Sequence, residues 1–121
     1  MANIIPFAFR GELFSGTHDF ANGGNSFKIA LYTGNPYSTS STAYTTAQEV
    51  SASNTGYTTG GKVLASQAVA SGTAVASVDF ADSALASATF TAAFAAIYND
   101  TNADKLCVVL DFGGNKTATN G

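Results

Sequence analysis

The sequence predicts an all-β domain, either a single antiparallel β-sandwich or a jelly-roll-like barrel. Apolar residues alternate with polar or small ones at a period of two in several short runs. Clusters of Gly, Asn and Ser interrupt those runs at close intervals. No stretch carries the apolar repeat of a convincing amphipathic helix, and many short strands with polar turns point to a sandwich or barrel. A chain of 121 residues makes one domain, residues 1–121, with no room for a second core.

The N-terminal run "IIPFAFRGELF" reads as extended. Pro6 withholds its N–H from a ladder, so residues 1–10 are expected as an edge strand or a docking arm. Ile4, Ile5, Phe7 and Phe9 give that piece its apolar surface, equally suited to an ordinary first strand in the core. "ELFSGTHDFANGG" fits a short helix or a strand. "SFKIALYTG" is the clearest strand, with Phe27, Ile29 and Leu31 on one face and Lys28, Ala30 and Tyr32 on the other. Gly34, Asn35 and Pro36 stop it.

Residues 42–61, "TAYTTAQEVSASNTGYTTGG", form a long polar connection whose one charged residue is Glu49. A disordered linker would favour charge, Pro and Ser over tyrosine, and a catalytic loop would carry catalytic residues. The expectation is therefore an ordered, interface-forming loop that lies on a neighbouring chain, with Tyr44 and Tyr57 as its anchors. "GGKVLASQAVASGT" reads as one strand entered through Gly60-Gly61. "TAVASVDFAD" alternates, with Ala76, Val78 and Phe80 on one face, and Asp82-Ser83 signals a turn. "ASATFTAAFAAIYND" is rich enough in alanine for a helix, but its Thr and Phe content and the alternation Ala88, Phe90, Ala92, Phe94 favour a strand. After a turn at 99–103, "DKLCVVLDFGG" is a strand bounded by glycines, and the two runs make a hairpin. Residues 113–121 are expected as a tail, or as the approach to a strand that lies beyond this sequence.

Composition narrows the function classes. Hydrophobic residues make up 45%, enough to fold, but charged residues only 11%, against roughly 25% in an ordinary soluble domain. Weakly charged surfaces associate, which favours a protein that lives in an assembly. The net charge is −3 and the five basic residues are scattered, so no nucleic-acid partner is expected. No apolar run is long enough for a membrane span, and the opening residues lack the basic segment and apolar core of a secretory leader. The single cysteine, Cys107, rules out an intrachain disulfide. It sits in an apolar run as a small buried hydrophobe, in keeping with folding in a reducing cytoplasm.

The residues offer little chemistry. His18 is the lone histidine, read as exposed or bonded in a turn, with no nucleophile flagged beside it and too few imidazoles and thiols for a zinc centre. Asp111-Phe112-Gly113 lacks the other parts of a kinase. The carboxylates of Asp79, Asp82 and the Asn99–Asp104 turn do not match an EF-hand. Asp79 and Asp111 could share a sheet face as a glycosidase pair would, but the sequence has no tryptophan for a sugar platform. No catalytic residue, cofactor or metal is expected.

Four pieces in order carry a resemblance: "FKIALYTG", "NTGYTTGG", "DFAD" and "AAIYND", the last followed by "VVLDFGG". At Phe27, Lys28, Ala30–Thr33, Gly56, Tyr57, Gly60, Gly61, Asp79–Asp82, Ile97–Asn99 and Leu110–Gly113 the chain resembles a family of small virion structural proteins of tailed bacteriophages, of the capsid decoration or cement kind. It departs from that family in having no aromatic near Leu85 and no further strand after "LDFG". The resemblance implies a non-enzymatic virion protein that bridges and stabilises neighbouring major capsid subunits. Its partners would be the major capsid protein or another virion protein, and it would itself be a dimer or trimer. It would be made in the host bacterial cytoplasm and reside in the virion. A tail- or fibre-associated protein, structural or receptor-binding, is the alternative, and a small carbohydrate-active enzyme or lectin the reading from another class.

Overall fold

A computed structural model describes residues 3–53, 55–81, 85 and 87–119. The chain is mostly β. One helix, α1 (Phe7–Phe14), precedes β1 (Phe27–Tyr32), β2 (Lys62–Leu64), β3 (Ala68–Ser71), β4 (Ala76–Asp79), β5 (Phe90–Asn99) and β6 (Lys105–Ala118). Four strands form an antiparallel sheet in the order β2-β1-β5-β6, and β3 pairs with β4 in a separate antiparallel hairpin. The described strands do not close into a barrel.

The expected alternation in β1 holds, and both of its faces are covered. Ala30 and Tyr32 join Ala96, Tyr98, Leu106 and Val109 in one core cluster. Phe27 and Ile29 join Leu64, Ile97 and Cys107 in a second on the opposite face. The long connection covers the first face, while α1, Phe20 and Phe80 cover the second. The hairpin β5–β6 forms as expected. Its turn is tight because Lys105 N–H donates to the Asn102 carbonyl at 3.2 Å and both central residues, Ala103 and Asp104, take positive φ, as in the turns that match strand twist.

Four expectations change. Residues 1–10, expected as an edge strand or docking arm, are described from residue 3 on, and that part is not one extended piece. Ile4 alone bridges to Val109, with both backbone hydrogen bonds formed, and the chain turns helical from Phe7. The alternating phenylalanines of "FAFRGELF" imitate a strand, but Pro6 is pre-set just ahead of the first turn, where a missing N–H costs nothing. Gly16, at φ +74, ends the helix in the left-handed conformation. The single strand expected from "GGKVLASQAVASGT" is two, β2 and β3, in different sheets, broken around Ser66 at φ 54.

Residues 113–118 are not a tail but the end of β6. Opposite Ala93, which lies between the paired positions 92 and 94, β6 carries the extra residues between Asp111 and Lys116. Gly113 (φ +77) and Gly114 (φ +144) absorb this bulge, so glycines that signal a stop in sequence keep the strand going here. The fourth change concerns the long connection. The Asp82-Ser83 turn lies outside the described residues.

Candidate functional site

The connection after β1 is ordered by its own sheet. Glu49 bridges to Tyr32 beside β1, and Val50 N–H donates to the Leu31 carbonyl at 2.9 Å. At the start of the connection, Tyr44 N–H donates to Asp104 O and Leu106 N–H to Thr42 O, at 2.9 and 3.0 Å. Between these ties, Glu49 organises a polar network. Tyr44 Oη donates to its Oε1 and Tyr57 Oη to its Oε2, each at 2.5 Å, and Gly60 N–H donates to Oε2 at 2.8 Å. Tyr98 Oη donates to the Gly60 carbonyl. Tyr32 Oη meets Tyr37 Oη at 2.5 Å and donates to Thr45 O at 2.8 Å.

All five tyrosines of the chain thus fasten one segment to one sheet. Tyr44 also stacks on Tyr98, with ring centroids 4.5 Å apart. Burial, reinforced by the Glu49 carboxylate, raises the phenols of Tyr32, Tyr44, Tyr57 and Tyr98 above their ordinary value, so they remain donors. Tyr57 is buried and Tyr44 half-buried within their own chain. Their hydrogen bonds are made within their own chain. The one signal for this in the sequence is a lone carboxylate in an otherwise uncharged stretch flanked by tyrosines.

On the other face, three residues far apart in sequence meet. His18 is buried. Its Nε2 lies 2.9 Å from Glu12 Oε1, its Nδ1 lies 3.0 Å from Asn99 Nδ2, and Cys107 Sγ is 3.8 Å from the same Nδ1. The tautomer follows from Asn99. Its Oδ1 accepts from Thr101 N–H and Asn102 N–H, so its Nδ2 is the donor toward His18. Nδ1 is therefore an acceptor, and Nε2–H donates to Glu12. Burial alone would raise Glu12, but the hydrogen bonds from His18 and from Lys105 (3.2 Å) outweigh it and hold the carboxyl below its usual range.

A thiol, an imidazole and a carboxylate in this order have the outline of a nucleophilic triad. The chemistry points the other way. The Asn99 amide already occupies the lone pair that a base would need, and burial, with Glu12 adding, pushes the Cys107 thiol up to about 12. The cluster therefore packs and positions α1. We expect Cys107 to resist a thiol reagent such as DTNB at pH 7.5 in the folded protein and to react at once in denaturant. Stoichiometric labelling of the folded chain would contradict this.

Beside Cys107 opens an apolar cavity of about 390 Å³. Ile5, Phe9 and Leu13 line it from α1 and its approach, Phe20 from the following loop, Val78 and Phe80 from β4 and its end, and Ile97, Cys107 and Val108 from the sheet. Of its lining residues, Ile5, Leu13 and Val78 are exposed; elsewhere on α1, Phe14 is 94% and Phe7 60% exposed. Of the N-terminal residues expected at an interface, Ile5 is exposed at the cavity, and Phe7 is exposed on α1 outside its lining. Phe9 is half-buried against the sheet, and Ile4 packs on the opposite core cluster. Sequence reasoning missed Leu13 and Phe14, because their exposure depends on the helix.

Among the described residues no group of three or more His, Cys, Asp or Glu side chains gathers as a metal site, and Asp82 lies outside them. No described helix is long and apolar enough to cross a membrane. No protein-family model, curated protein or solved structure matches this chain.

Proposed function

We propose that this chain is a non-enzymatic structural protein of a tailed-phage particle, which decorates or cements the head by bridging neighbouring major capsid subunits. The observation that carries the reading is the apolar surface of α1, where Ile5 and Leu13 line an open cavity and the helix also exposes Phe7 and Phe14 outside that lining. A free monomer gains nothing from such a face, whereas a protein that works in an assembly buries it. The surface is poor in charge, with 11% charged residues, so covering it carries little ionic desolvation. Binding the assembled lattice and not the loose subunit would stabilise the shell by linkage.

The sandwich or jelly-roll arrangement belongs to the same proposal. The four-stranded sheet would be one layer, and the hairpin β3–β4 with α1 the beginning of a facing one. The test is to locate the chain in the purified particle by cryo-electron microscopy. Many symmetry-related copies on the head lattice are expected. Copies confined to the tail would replace this reading with a tail- or fibre-associated protein, and absence from the particle would remove both.

A further inference from the structure

We infer that Asn22 is a site of spontaneous covalent modification, at which the Gly23 backbone nitrogen closes on the Asn22 side chain and leaves aspartate and isoaspartate in its place. Asparagine is a thermolabile residue, and its lifetime depends on whether the next backbone nitrogen can reach its Cγ. At Asn22 both parties are free. The residue is exposed in the turn 21–24, which Gly24 N–H closes by donating to the Ala21 carbonyl at 2.8 Å. Among the described residues, neither the Asn22 amide nor the Gly23 N–H has a hydrogen-bond partner. Gly23 sits at φ +86, and a Cβ there would meet nothing within 4 Å, so the attacking nitrogen is not crowded. In the first step the bond from Gly23 N to Asn22 Cγ forms and the Cγ–Nδ2 bond breaks. Ammonia leaves with a proton equivalent to the one that the Gly23 nitrogen gives up. Water then opens the succinimide ring at either carbonyl, so one water enters for each ammonia lost and nothing is oxidised or reduced.

The other described asparagines each lack one of these freedoms. Asn3 Oδ1 accepts from Asp111 N–H at 2.8 Å. Asn25 Oδ1 accepts from Asp19 N–H, Asn99 Nδ2 and Asn102 Nδ2, at 2.8, 3.0 and 3.2 Å. Asn35 precedes Pro36, whose nitrogen carries no proton, and its Oδ1 accepts from Tyr37 N–H at 2.9 Å. Asn99 is wholly buried, with Oδ1 held by Thr101 and Asn102 N–H. Asn102 Nδ2 donates to the Thr17 carbonyl at 2.6 Å. Asn115 is exposed, but it lies in β6, and the residue after it, Lys116, is extended opposite Ala92. The loop is pinned on either side of the reactive pair. Ala21 N–H donates to Asp19 Oδ1 at 3.0 Å, and Gln67 Nε2 donates to the Ala21 and Asn25 carbonyls at 2.9 and 2.8 Å. Isoaspartate therefore lengthens the backbone inside the turn alone, while Phe20 stays stacked on Phe27, with centroids 4.2 Å apart. The product adds one carboxylate to a chain whose net charge is −3.

The test is a time course of the folded full chain at mildly alkaline pH, in water enriched in heavy oxygen, followed by mass mapping of the tryptic fragment from Gly11 to Lys28. Asn120-Gly121, the other Asn-Gly pair, lies outside the described residues and falls in a different fragment. The expected result is solvent oxygen at residue 22 at least about tenfold sooner than at any other described asparagine. Aspartate and isoaspartate should appear together, because direct hydrolysis of the amide gives aspartate alone. Gly23→Ala should slow the conversion about tenfold or more, since a Cβ crowds the attacking nitrogen and restricts its backbone. Asn22 intact in the folded chain when the guanidinium-unfolded chain has converted overturns the inference. So does aspartate without isoaspartate, a Gly23→Ala chain that converts as fast as the wild type, or another described asparagine that converts first.

Discussion

Glu49→Ala is expected to destabilise the protein by about 3–4 kcal/mol, a large part of the roughly 5–15 kcal/mol that holds a domain folded. The carboxylate accepts from Tyr44 Oη, Tyr57 Oη and Gly60 N–H. Hydrogen bonds to a charged acceptor contribute about 1.5–3 kcal/mol each, and partial solvent access discounts the sum. Truncation strands three donors, two of them on half-buried or buried side chains. The damage should be local before it is global, because the same carboxylate ties the middle of the connection to its end. Urea denaturation gives the energy. Hydrogen exchange should show Val50, Gly60 and Gly61 losing protection first, while the centre of β5 keeps it. Glu49→Gln, which retains one acceptor oxygen, should recover about half of the loss. A Glu49→Ala midpoint equal to that of the wild type would mean that the network contributes nothing to stability.

Gly61→Ala is expected to cost at least about 3 kcal/mol, or to prevent β2 from pairing at all. A Cβ at Gly61 would stand 1.9 Å from the Ile29 carbonyl oxygen and 2.8 Å from Ala30 Cα, both backbone atoms of the central sheet, at a φ of +83°. Neither contact can be relieved by a rotamer change, so the turn and β1 must part. Gly23→Ala is the control. It also has positive φ, +86°, but a Cβ there meets nothing within 4 Å. It should cost only the left-handed backbone term, about 1 kcal/mol. Thermal unfolding of the two variants separates steric exclusion from conformational strain, and equal losses would refute the close-approach argument.

The parts of the fold that could be read from the sequence are those decided by neighbours in sequence. The two faces of β1 and the hairpin β5–β6 follow from side chains that alternate locally. Where local and distant terms compete, the local reading fails. "FAFRGELF" alternates like a strand, yet it forms a helix once Pro6 starts the turn and Phe9 finds the sheet. Gly113-Gly114 looks like an end and serves as a bulge, a distinction set by the partner strand.

The candidate site shows the same division. Ile5 and Phe7 could be named in advance as apolar residues near the N-terminus. That Ile5 shares a cavity with Leu13 and Val78 depends on a helix and a hairpin that line it from two sides. The cluster of His18, Asn99 and Cys107 could not be foreseen, since single residues at these separations have no spacing to read. Tyr44 and Tyr57 were legible as anchors, but sequence could not say that the surface they anchor to is the chain's own.

The long connection is clamped to its own sheet, and under the proposed function α1 is the surface that meets a partner. Hydrogen-exchange mass spectrometry of the dilute chain and of its assembled form tests this most directly. The account predicts that residues 42–61 are already protected in the dilute chain and change little, while residues 5–14 gain protection on assembly. Fast exchange across 42–61 in the dilute chain, with protection arriving only on assembly and none gained at 5–14, would contradict it.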